Sequence, residues 1–157
     1  MDTRDGPRLR VAKPADAAVV GTMLSDFNRE FGSPTPAAGE LAIRFETLLA
    51  RQDVLVVLAE LDSAVGFGYL TLRPTPYGDG PLAQLEELYV RPGLRGRGIG
   101  SELLRRAVDE VVARGAIEMH INVDEVDKDT RRFYERYGFT NIQPGEDYRM
   151  LCYLREL

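Results

Sequence analysis

Apolar residues recur along the chain in two rhythms, and the switches between them mark out the elements. Residues 9–13 read as a short strand, after which Pro14-Ala15-Asp16 supplies the proline and acidic residue that open a helix. Val19, Val20, Met23, Leu24 and Phe27 follow at helical spacing, and a second helix runs through Leu41, Phe45, Leu48 and Leu49. The period then shortens. Residues 54–60 and 65–72 are β-branched or aromatic runs joined by Asp62-Ser63, the short polar signature of a hairpin, so two antiparallel strands are predicted. Residues 82–90 form another strand, Pro92-Gly93 breaks the chain, and a glycine-rich turn opens a long helix. The core stripe of that helix is Ile99, Leu103, Leu104, Ala107, Val108, Val111 and Val112, closed by Gly115 just past its end. Residues 117–123 alternate apolar with polar and predict a parallel strand, returned to the same sheet by a right-handed crossover through the helix. A last helix over about 128–137 stops at Gly138, and residues 148–154 predict a final strand.

No repeat, low-complexity tract or long linker interrupts this order, so one α/β domain over residues 1–157 is expected, a single mixed, mostly antiparallel sheet flanked by helices. A hydrophobic content of 44% is enough for its core without metal or disulfide support. Cys152 has no second cysteine to pair with, which points to a reducing, cytoplasmic setting and excludes a CxxC-type zinc site. The longest apolar run, residues 54–59, is too short to span a bilayer, so no membrane association is expected. The formal charge of −5 argues against a nucleic-acid partner. One stretch runs against that balance: Arg91, Arg95, Arg97, Arg105 and Arg106 stand against Glu102 alone, a basic patch in an acidic protein.

That patch surrounds Arg95-Gly96-Arg97-Gly98-Ile99-Gly100-Ser101, at the start of the long helix. Unpaired N–H groups and the positive end of the helix dipole meet there, which suits a phosphate group, and glycines let the backbone approach it closely. A tight turn with solvated arginines is the plainer alternative. Two other phosphate motifs fail on the residues. Gly93 and Gly98 have P-loop spacing, but Ile99-Gly100 stands where Lys and Ser or Thr are needed. A dinucleotide fingerprint begun at Gly98 would place Leu103 at its third glycine.

Arg95-x-x-Gly98-x-Gly100 resembles the (Q/R)xxGx(G/A) pyrophosphate motif of the GNAT acetyltransferases. It is preceded by the strand Leu85-Glu86-Glu87-Leu88-Tyr89-Val90, and downstream Phe133-Tyr134-Glu135-Arg136-Tyr137-Gly138-Phe139 is similar to the family's helix-then-Gly-Phe signature. The resemblance implies a GNAT fold with splayed central parallel strands and acetyl-CoA as acyl donor, with no metal. It also implies that the backbone of Leu88, Tyr89 and Val90 pairs with the pantetheine arm. N–H groups from Gly96, Arg97, Gly98, Ile99, Gly100 and Ser101, with Arg95, would hold the pyrophosphate. Where the family often has Asn and Ala, seven and four residues before the tyrosine, this chain has Asp127 and Thr130; Asp127 can still accept a hydrogen bond from the cofactor arm. A homodimer is a family-level expectation, and the acceptor is an amine whose identity the sequence leaves open.

Transfer from a thioester to a primary amine by direct attack in a ternary complex needs a neutral amine, a polarised carbonyl and a stabilised leaving thiolate. An alkylamine with a pKa near ~10.4 must shed a proton, and Glu86 is the first choice to take it, directly or through water. Glu86 and Glu87 face opposite sides of an ideal strand, although a bulge would alter that phase. The alternative is that both flank a sheet edge or pair with arginines. By family match Tyr134 assists the departing thiolate, with ordinary helix packing as its structural alternative. Carbonyl polarisation falls to the N–H of Val90 if the strand is bulged there. His120 and Cys152 are read as structural residues. An acyl-CoA-binding regulatory module without turnover is the reading from another class.

Overall fold

A computed structural model describes residues 6–157. The elements follow the predicted order: β1 (Arg8–Val11), α1 (Ala17–Glu30), α2 (Ala38–Leu49), β2 (Val54–Glu60), β3 (Ala64–Arg73), β4 (Leu82–Val90), α3 (Ile99–Ala113), β5 (Glu118–Ile121) and α4 (Lys128–Arg136). Short 3-10 turns at Pro14–Asp16 and Pro92–Leu94 occupy the proline positions that start a helix or break a strand. The described residues divide into two compact units, one ending at Met119 and one running His120–Leu157.

The five strands lie in the order β1-β2-β3-β4-β5, with β1 to β4 antiparallel in succession. Ile117 N–H donates to Pro81 O at 3.0 Å, so β5 and β4 begin side by side and run the same way. A strand, a covering helix and a parallel return give the mixed, mostly antiparallel sheet that the alternating pattern predicts.

Register decides which residues of the sheet face which helices. Val56 and Leu58 of β2 pair with Tyr69 and Phe67 of β3, and Phe67 pairs with Tyr89 of β4. These side chains project to one face and join Val20, Met23, Leu24, Leu41 and Phe45 of α1 and α2 in one buried cluster. Leu55, Val57, Leu70 and Leu85 project to the other face, buried, where α3 packs. Gly66 has no room for a side chain: a Cβ there would stand 2.6 Å from the Tyr89 carbonyl of β4, the decisive clash, and 3.1 Å from Leu103 Cδ1 of α3. The stripe on α3 is narrower than its sequence suggests. Ile99, Leu103, Leu104, Ala107 and Val111 are buried while Val112, one residue round the helix, is exposed.

In the second unit Asp127 caps α4 by accepting from Thr130 N–H at 3.2 Å, and Gly138 leaves the helix at φ +89°, the left-handed turn expected of a glycine there. Phe133, Tyr134, Tyr137 and Phe139 pack ring to ring, with centroids 5.1–5.6 Å apart. The strand expected over residues 148–154 does not form. That stretch carries no regular secondary structure, and Met150 N–H donates to Asn141 O nearby. Leu151, Tyr153 and Leu154 are exposed, so the alternation has no buried face to fix its register.

Candidate active site

The basic glycine loop leaves β4 and enters α3 as the sequence requires. Gly96 and Gly98 have φ of +75° and +84°, and no atom lies within 4 Å of the position a Cβ would take at either, so backbone conformation, not crowding, selects glycine. Gly98 is the N-cap of α3. The first N–H bonded inside the helix is that of Glu102, which reaches Gly98 O at 3.0 Å. The N–H groups of Ile99, Gly100 and Ser101 precede it at the positive end of the dipole. Two left-handed glycines and a helix start with its leading N–H groups fit a pyrophosphate in this cradle.

The two arginines of the loop are used differently. Arg95 Nε donates to Val90 O at 2.8 Å, its Nη2 lies 2.7 Å from Glu30 Oε2, and its guanidinium sits 5.7 Å over the Tyr89 ring. Arg91 Nη1 meets Asp26 at 3.2 Å. Both therefore tie the strand-to-loop segment to α1, a role the sequence did not suggest. Arg97 is exposed and makes no ion pair among the described residues, leaving its charge available to an anion.

The two glutamates of β4 sit at an irregularity in the ladder. Tyr69 pairs with Glu87, but the next residue, Leu70, pairs with Leu85, so Glu86 is the extra residue of a bulge. In an unbroken strand Glu86 and Glu87 would face opposite sides. Here Glu87 stands across from Tyr69, on the α1/α2 face, and Thr71 Oγ1 on that same face donates to Glu86 Oε1 at 2.7 Å. Both carboxylates therefore share one face of the sheet. They differ in exposure: Glu86 is exposed, whereas Glu87 is half-buried. Burial, with the negative charge of Glu86 added, pushes the Glu87 carboxyl up from 4.5 to about 7.

The ladder runs regularly through Phe67↔Tyr89 and Gly66↔Val90, so the bulge imagined at Val90 is absent and falls at Glu86. Leu88, Tyr89, Val90 and the loop from Arg95 to Ser101 are thus brought together in the first unit as strand end, turn and helix start. Asp127 and Tyr134 belong to the second unit, where Asp127 serves as the cap of α4 and Tyr134 is buried among aromatic rings. The sequence reading missed Tyr69, Thr71, Asp26 and Glu30. Their partners lie 15 to 65 residues away, and no local pattern signals such pairs.

Among the described residues no helix is long and apolar enough to cross a membrane. No group of three or more His, Cys, Asp or Glu side chains there could hold a metal ion.

The Acetyltransferase (GNAT) family model matches residues 20–139. Glucosamine 6-phosphate N-acetyltransferase 1 of Oryza sativa subsp. japonica is 34% identical over 138 residues, covering 78% of this chain and 81% of its own. A crystal structure of an Arthrobacter sp. FB24 protein, described as a candidate acetyltransferase, matches with a TM-score of 0.90 and 50% identity over 100% of this chain and 99% of the other. An aminoglycoside acetyltransferase, meta-AAC0020 from an uncultured soil metagenomic sample, shares the fold at a TM-score of 0.80 and 19% identity, with 99% of each chain covered. The order of motifs, the glycine turn at the start of α3 and these matches converge: the chain belongs to the GNAT family of acetyltransferases and is an acetyl-CoA-dependent N-acetyltransferase.

Proposed function

We propose that the chain works as one acetyltransferase domain over residues 1–157, acetylating a primary amine by direct attack in a ternary complex, with Glu87 as the general base. The observation that carries this reading is the bulge at Glu86, which sets both glutamates on one face of the sheet and leaves Glu87 the more buried. A base operating near neutral pH works best with a proton affinity near that pH, and a carboxyl at about 7 meets the condition. Glu86, the first choice from sequence, stays beside it as an exposed carboxylate that favours approach of a cationic amine.

Bound acetyl-CoA supplies the activated acetyl group as a thioester. The chain's own groups do the rest. N–H groups from Gly96 to Ser101, with Arg97, hold the pyrophosphate, while Arg95 keeps the loop on α1. The backbone of Leu88, Tyr89 and Val90 pairs with the pantetheine arm. Glu87 accepts the amine proton, directly or through water, as the nitrogen attacks. On the family motif alone, Tyr134 is assigned donation to the departing sulfur and Asp127 a hydrogen bond accepted from the cofactor arm. Homodimer assembly rests on family likeness, and a cytoplasmic setting on the unpaired Cys152.

The test is thiol release from acetyl-CoA across a panel of amines, set beside melting curves with acetyl-CoA, dephospho-CoA and ATP. Acetyl-CoA should raise the melting temperature most, by mass action on the folded state, and at least one amine should drive thiol release. Stabilisation without thiol release from a broad panel would favour the binding module, and no shift at millimolar acetyl-CoA would remove the donor site from the loop.

A further inference from the structure

We infer that Tyr69 is the positioning residue for Glu87, its ring, braced by Phe45, holding the carboxyl on the α1/α2 side of β4 and shielding it from water. The inference rests on the reading of Glu87 as the base and adds to it the part of the fold that makes such a base.

Three geometric facts support it. Tyr69 and Glu87 are directly paired across β3 and β4, so their side chains leave the same face as nearest cross-strand neighbours. The ladder slips immediately afterwards, between Tyr69 and Leu70, making Tyr69↔Glu87 the last regular pair before the bulge. Finally, the Tyr69 ring does not swing freely. It meets Phe45 of α2 edge-on, with centroids 5.4 Å apart and planes at 78°, and Phe45 is itself 2% exposed in the core. The next pair on the same face, Phe67↔Tyr89, is aromatic on both strands, and Tyr89 meets Phe27 of α1 edge-on at 5.1 Å. Glu87 therefore sits at the end of a row of rings.

The charged groups around this row are few. Glu86 on β4 acts on Glu87 and on Tyr69. Arg51 and Asp53, in the turn before β2, act on Tyr69 and pair with each other at 2.7 Å, so their fields largely offset. Asp26 and Glu30 on α1 act on Tyr89, where Arg91 and Arg95 counter them. What α2 presents to Tyr69 is the apolar ring of Phe45. Burial is accordingly the largest influence on both Tyr69 and Glu87, and Glu86 comes second for each. A ring that excludes water from one side of Glu87 sets its proton affinity without touching substrate.

The experiment compares wild type with Tyr69→Phe and Tyr69→Ala in two readouts. One is the pH dependence of kcat/KM for a single amine at saturating acetyl-CoA; the other is an NMR titration of the Glu87 carboxyl carbon. Tyr69→Ala should move the Glu87 titration, and the acidic limb of the rate profile with it, down by about one pH unit towards the ordinary carboxylate range. Tyr69→Phe keeps the ring and should reproduce the wild-type midpoint in both. A folded Tyr69→Ala protein with an unmoved Glu87 titration would overturn the inference, and so would a Tyr69→Phe protein that shifts as far as Tyr69→Ala. Should Tyr69→Ala fail to fold, Phe45→Leu removes the brace and should give a smaller downward shift. A Glu87 titration that moves while the rate profile stays fixed would uphold the role of Tyr69 and reject Glu87 as the base.

Discussion

Arg95 and Glu30 are 65 residues apart in sequence, yet the guanidinium Nη2 of one lies 2.7 Å from the carboxylate of the other. With the bond from Nε to Val90 O, this contact fastens the start of the phosphate loop to the end of α1. Both side chains are partly exposed, 40% and 26%, so the pair is worth no more than about 1 kcal/mol. Its value lies in order. Glu30→Gln should lower the melting temperature by only a few degrees and leave kcat unchanged. Arg97→Ala should do the reverse, sparing stability and weakening acetyl-CoA about tenfold through the lost charge at the pyrophosphate. Calorimetric titration with acetyl-CoA separates the two, and an Arg97→Ala protein with wild-type affinity would assign the phosphate to backbone N–H groups alone.

Gly98 offers a second test, because its constraint is conformational. Its φ of +84° is costly for any residue with a Cβ, while the space beside it is open. Gly98→Ala should therefore cost about 1–2 kcal/mol of stability through strain alone. Gly98→Asp adds a negative charge where phosphate meets the N–H groups of Ile99, Gly100 and Ser101. Acetyl-CoA affinity should then fall well beyond the loss seen for Gly98→Ala. Equal affinities for the two folded variants would place the phosphate elsewhere.

Element order and the donor loop were legible in the sequence because both are local. Helical spacing, the hairpin residues Asp62 and Ser63, and the glycines that end α3 and α4 each state their conformation within a few residues. Glu86 and Glu87 show where that legibility stops. Leu-Glu-Glu-Leu reads as an ordinary strand, and only the register of β4 against β3 reveals that one glutamate is bulged and both share a face. Residues 148–154 fail for the opposite reason. Their alternation says how a strand would present its faces, but not whether a sheet edge takes it. Arg95 is legible as part of the glycine-loop motif, but its ion pair with Glu30, which lies in another element, is not.

Glu87 also ties stability to pH, with a sign that can be worked out. Below about 4.5 the carboxyl is neutral whether the chain is folded or not. Between 4.5 and about 7 the folded protein holds a proton that the unfolded chain has lost, so stability falls as pH rises through this window. Allowing for the exposed part of the side chain, the loss is about 2 kcal/mol. Asp16, held down near 2 by Arg10, acts below this window and does not mask it. Glu87→Gln cannot ionise, so its melting temperature should fall less between pH 5 and pH 8 than that of wild type, while kcat drops by roughly 10²–10⁴. A variant that retains kcat would leave water, or Glu86, as the proton acceptor.

Tyr134 is the residue whose proposed part in the chemistry is most cleanly separable from its part in the fold. It is 5% exposed, its ring meets Phe133 and Phe139 with centroids 5.1 and 5.6 Å away, and its carbonyl accepts from Tyr137 and Phe139 N–H groups at the end of α4. Those contacts belong to the ring and the backbone, and phenylalanine preserves all of them. Tyr134→Phe should therefore melt within a few degrees of wild type, since losing one hydroxyl hydrogen bond costs about 1 kcal/mol. A donor used as the sulfur departs contributes mainly in the transition state. Its loss should lower kcat by roughly 10²–10⁴ with little change in acetyl-CoA affinity. A merely structural tyrosine predicts the other pattern, a small loss of stability and a wild-type kcat. Steady-state kinetics on a responsive amine, read beside the melting curve, tell the two apart; an unchanged kcat would assign the departing proton to water.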